Sequence, residues 1–132
     1  MNMNLRSPFV CVLLAISLYS LTPVSAHHSN VAFETLKIQE ATGTVTDWKW
    51  TNPHTWLYLA VDEGNGLKTE WAFEGRAPGL LSRTGWSAKT FKKGDILTIH
   101  YSPAKDGTKT GLIARVTLAD GTILPYTPPT TQ

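Results

Sequence analysis

The sequence predicts an all-β domain with one short helix, folded as a small five-stranded OB-like barrel. Two observations predict it. Short strand-like runs are separated by Gly- and Asp-rich turns, the pattern of a barrel or sandwich. Their order, three consecutive strands, a helix-like piece and two further strands, is that of the OB-fold.

Residues 27–41 lack a firm period and read as an arm anchored by Phe33, Leu36 and Ile38. A strand begins near Thr42, but strict alternation puts Val45 on the face opposite Trp48 and Trp50, which calls for a bulge or twist. Asn52-Pro53 breaks the run, and Thr55 to Val61 forms a second strand. That strand is apolar on both faces, so it is either buried on both sides or carries an exposed aromatic row. Glu63-Gly64-Asn65-Gly66 is a hairpin turn, because Gly and Asn tolerate positive φ.

The third strand runs from Leu67 to Glu74, with Trp71 and Phe73 inward and Glu70, Ala72 and Glu74 opposite. A helix-like piece from Ala77 to Trp86 lies between Gly75 and Gly85. Strand four spans Ile96 to Ser102 and is ended by Pro103; strand five spans Gly111 to Leu118. Asp120-Gly121 signals a last turn before Ile123. The barrel domain is therefore placed at 42–125, and the Thr- and Pro-rich tail from Pro125 through 126–132 is expected to fray.

Residues 1–26 have the three parts of a cleavable signal peptide: Arg6, an apolar run from Phe9 to Leu21, and the small residues Val24-Ser25-Ala26. The run is too short to cross a hydrocarbon layer of roughly 30 Å. The mature protein is thus expected to begin at His27, in the periplasm or outside the cell. Cleavage also removes Cys11, the only cysteine, so the fold must form without a disulfide. Residues 27–132 make one small domain, with eleven basic residues against ten acidic ones. That near-neutral, scattered charge argues against nucleic acid and anionic membranes as partners.

Several motifs cover nearly the whole mature chain: Ala26-His27-His28-Ser29, Gly43-Thr44-Val45, Trp50-Thr51-Asn52-Pro53-His54 and Trp71-Ala72-Phe73-Glu74. They continue through Gly85-Trp86, Lys93-Gly94-Asp95, Ala104-Lys105-Asp106-Gly107 and Asp120-Gly121. In these the chain resembles a bacterial secreted family, domain of unknown function 6152. The His-His-Ser start combined with the Trp-Thr-Asn-Pro-His turn is the specific part. The resemblance implies no activity, because the family has none established. The chain departs from the family in the arm, where members tend to have an aromatic soon after the serine and this chain has Asn30-Val31-Ala32-Phe33.

Cleavage after Ala26 would leave His27 with a free α-amine beside its imidazole, two nitrogens able to chelate one metal ion. A third imidazole would complete a T-shaped histidine brace of the kind Cu(II) accepts. The α-amine, with an ordinary pKa of roughly 7.7–8.0, gives up its proton to a metal near neutral pH. His54 is the favoured third ligand, because it follows Pro53 in a turn. His28 could instead bind with the amine and its own deprotonated amide. Against this stands an accidental N-terminal histidine, with His54 bonded only within its own turn. His100, in line with Ile96 and Thr98, reads as a satisfied strand histidine rather than a ligand.

Trp56, Tyr58 and Trp71 suggest a second reading, an aromatic ligand face on strands two and three, which OB-folds use for binding. The competing explanation is that these rings fill the core. Glu70 and Glu74 share a strand face roughly 13 Å apart, too far for paired-carboxylate glycosidase chemistry. Both are expected to be solvated, with Glu74 a possible outer partner of a metal ligand. Without a mature cysteine or a serine elbow, nucleophilic catalysis has no support. The expected function is a non-enzymatic exported domain that binds copper through His27 and His54. The alternative is a metal-free module that takes a protein or small molecule on its aromatic face. Copper oxygenase chemistry ranks third.

Overall fold

In the computed structural model the described residues are 32–126. Five strands form the domain: β1 (Gln39–Lys49), β2 (Trp56–Asp62), β3 (Lys68–Glu74), β4 (Ile96–Pro103) and β5 (Thr110–Leu118). They close into a barrel in the order β1-β2-β3-β5-β4, with β4 returning to β1. Only β3 and β5 run parallel, through Ala72 to Glu74 against Thr110 to Leu112. This is the predicted OB arrangement, and closure leaves no long free strand edge.

Inward positions of each strand build the core. Val45, Leu57, Leu59, Phe73, Leu97, Ile99 and Val116 are almost completely buried. The pairing of β1 with β2 shifts register between Val45 and Asp47. Val45 faces Leu59 before the shift and Trp48 faces Leu57 after it, so the bulge puts Trp48 on the core side. There Trp48 packs edge-on against Phe91 (centroids 5.1 Å apart), and Phe91 packs edge-on against Trp86 (5.3 Å). A second shift lies between His100 and Tyr101 and leaves Ala114 of β5 without a cross-strand partner.

The helical link between β3 and β4 is shorter than the sequence suggests. It consists of α1 (Pro78–Leu81) and a 3₁₀ turn (Ser82–Thr84), ended by Gly85 at φ 90°. Pro78 starts the helix, and the left-handed glycine stops it. Leu81 is the residue that it buries.

Both ends of the described segment depart from expectation. In the arm, Phe33 pairs with Ala104 and is buried, but Leu36 and Ile38 do not act as anchors: they are 100% and 57% exposed. The arm is held at Phe33 by the Glu34 amide on the Pro103 carbonyl (2.9 Å) and the Lys105 amide on the Ala32 carbonyl (2.9 Å), and β1 begins at Gln39. Pro125 and Tyr126 are held, not frayed. The Trp86 indole N–H donates to the Pro125 carbonyl (2.9 Å), and the Tyr126 ring lies 5.7 Å from that of Trp86. Among the described residues no helix is long and apolar enough to cross a membrane.

Candidate functional site

Thr55, fully buried just before β2, ties that strand's start to the end of β3. Its amide and hydroxyl both donate to the Arg76 carbonyl (3.2 and 2.9 Å), and the Gly75 amide donates to the Thr55 carbonyl (2.8 Å). A Cβ on Gly75 would overlap the Thr55 hydroxyl, so this close approach requires glycine. The clasp brings the preceding residues together. His54, after the cis Asn52–Pro53 bond, has Nδ1 2.6 Å from Oε1 of Glu74.

The two partners differ in exposure. The Glu74 side chain is 9% exposed, that of His54 34%. Glu74 was expected in solvent because it alternates outward on β3. It does face outward, opposite Trp56, but the His54 turn and the tail cover the barrel there. Burial raises the Glu74 carboxyl above its ordinary range, and the nearby His54 acts against that rise. A neutral His54 that donates from Nδ1 presents an unprotonated Nε2.

The pair lies in a groove of about 410 Å³ on the outer face of the barrel. Its apolar walls come from Ile38 of the arm, Leu80 of α1, Leu112 and Ala114 of β5, and Tyr126. Arg76 and Ser102 add polar groups to its lining. Burial also pushes the Tyr126 phenol well above its ordinary value, with Arg76 acting in the opposite sense. Neither Arg76 nor Tyr126 stood out in the sequence. The signals available were two opposite charges flanking a glycine at a strand end, and an aromatic in an otherwise small, polar tail.

His27 and His28 lie outside the described residues. Among the described residues no group of three His, Cys, Asp or Glu side chains could hold a metal ion, so His54 and Glu74 stand as a pair. His100 sits on the outer face of β4, 3.5 Å from Glu40, with Arg115 Nη2 2.9 and 3.1 Å from its ring nitrogens.

The three rings proposed as a ligand face are divided between the two sides of the sheet. Trp56 and Tyr58 are half-buried on the outside of β2, opposite Glu74 and Ala72 of β3. Lys49 Nζ lies 4.8 Å from the centre of the Tyr58 ring. Trp71 faces inward, stacked 5.9 Å from Phe73 and edge-on to Tyr101 at 5.5 Å. Its indole N–H donates to Glu63 (3.2 Å), which also pairs with Lys109 (2.6 Å). Trp71 thus caps one end of the core and ties the β2–β3 turn to the β4–β5 loop.

No curated protein matches the chain. The model of a family of unknown function, DUF6152, matches residues 15–115. That span takes in β1 to β4, β5 as far as Arg115, the His54–Glu74 pair and most of the groove wall, and on it the chain belongs to the DUF6152 family.

Proposed function

We propose that the mature protein is an exported, non-enzymatic metal-binding domain that takes up copper through the α-amine and ring of His27 and Nε2 of His54. One observation carries the reading: the His54 imidazole is held through Nδ1 by a buried carboxylate. Metal-binding histidines commonly donate their second ring nitrogen to such a group, which fixes the tautomer and aims the free nitrogen. Two ligands from His27 would convert this pair into a three-nitrogen site suited to Cu(II). Reach is compatible: the eight residues from His27 to Thr35, which lines the groove, span at most about 29 Å.

The test is titration of the processed protein with Cu(II) by calorimetry, beside a variant carrying one extra N-terminal alanine. The variant displaces the amine from His27 and should bind far more weakly. Equal affinity of the two would exclude the brace.

The outward placement of Trp56 and Tyr58 favours a second reading, a metal-free module that binds a partner on that face. In that case Trp56→Ala weakens capture of the partner by more than its small cost in stability accounts for.

A further inference from the structure

We infer that the groove beside β3 binds a free amino acid with an apolar side chain, its ammonium on Glu74 and its carboxylate on Arg76. Three features specify this ligand.

Glu74 and Arg76 are separated by one glycine at the strand end and line the same groove. They do not pair with each other: among the described residues Glu74 pairs with His54, and Arg76 has no ion-pair partner. A cavity lined by one buried carboxylate and one guanidinium, each with capacity for a further partner, complements a ligand carrying both charges. A simple amine would face Arg76 unfavourably, and a simple acid would face Glu74.

Beyond these charges, His54, Ser102 and Thr35, the groove is walled by apolar side chains, of which Ile38 (57%) and Leu80 (41%) are exposed to water. A branched or aromatic side chain laid against Ile38, Leu80 and Leu112 would cover that surface. At about 410 Å³ the space matches the lower part of the range for small-molecule sites and suits a single amino acid.

The inference stands apart from the copper reading, because it needs neither a metal nor His27. It is tested on the mature protein in chelator-treated buffer by calorimetry with L-phenylalanine, phenethylamine, which lacks the carboxylate, and 3-phenylpropionate, which lacks the ammonium. Phenylalanine should bind at least roughly tenfold more tightly than either analogue, the effect of one charge-assisted contact. Arg76→Gln should reduce phenylalanine binding to the level of phenethylamine. Ala114→Trp, which fills the groove and leaves both charges in place, should abolish binding with the melting curve retained. Equal affinities for the three compounds, or no binding of phenylalanine at millimolar concentration by folded protein, would overturn the inference. So would undiminished binding to folded Ala114→Trp.

Discussion

His54 and Glu74 act as one unit, and the properties of each depend on the other. The carboxylate is too buried to ionise as freely as in water, while the imidazole beside it favours ionisation. Removing that carboxylate should loosen the ring and the aim of its free nitrogen. Glu74→Gln is therefore expected to weaken Cu(II) binding by about 10–100-fold in the same titration, with the processed N-terminus unchanged.

Glu74 also sets a pH dependence of unusual sign. Its folded pKa lies above the ordinary value, so the folded chain holds the proton more tightly than the unfolded chain. Its contribution to stability is greatest at low pH and declines as pH rises from the ordinary glutamate range through the raised value. Asp106 and Asp120, held low by hydrogen bonds from Thr108 and Thr122, behave oppositely. Their contribution is present above the ordinary aspartate range and is lost as pH falls through their folded values. Melting curves of metal-free wild type and Glu74→Gln, taken from pH 7 down through the ordinary glutamate range, should show the sign of the Glu74 contribution. The wild type should gain on the variant as pH falls, and a constant difference would contradict the Glu74 assignment.

At the scale of the elements, bulges and close approaches decide which face each residue serves. The period of β1 was readable, and its conflict between Val45 and Trp48 pointed to the bulge that the strand contains. The faces of β2 were readable only as apolar on both sides. Pairing to β3 resolves them, with Leu57 and Leu59 inside and Trp56 and Tyr58 outside. Trp71→Ala should therefore destabilise the domain by roughly 2–4 kcal/mol, towards the cost of a core aromatic, whereas Trp56→Ala should cost about 1 kcal/mol or less. Urea denaturation of the two variants makes the comparison.

Gly111 provides a second check. It sits opposite Phe73 on the short parallel ladder, and a Cβ there would overlap the Tyr101 ring. Gly111→Ala should cost about 1–3 kcal/mol, through displacement of a core ring rather than through backbone conformation. A variant that melts with the wild type would show that Tyr101 can move aside.

For the whole molecule, the barrel that β4 closes against β1 is covered by segments outside the strands. The tail caps Trp86 through Pro125 and Tyr126, and Tyr126 is also a wall of the groove. A chain ending at Leu124 should lose about 1–3 kcal/mol, from one partly buried hydrogen bond and one aromatic contact. It should also bind groove ligands less well, although no strand has been touched. Thermal melting and the phenylalanine titration report the two effects separately.

Strand order, turn positions and the short helix between β3 and β4 followed from the sequence alone, because hydrophobic alternation and glycine at positive φ act over a few neighbouring residues. The same local reasoning picked out His54 from its place after Pro53. It could not pair His54 with Glu74, since that contact depends on the Thr55–Gly75 clasp between strands twenty residues apart in sequence. Nor could it foresee that Glu74 is buried while facing outward, or that Tyr126 packs against the barrel. Burial on an outer face is set by what another segment lays over it, and only closure of the barrel brings the arm, α1 and the tail to the same place.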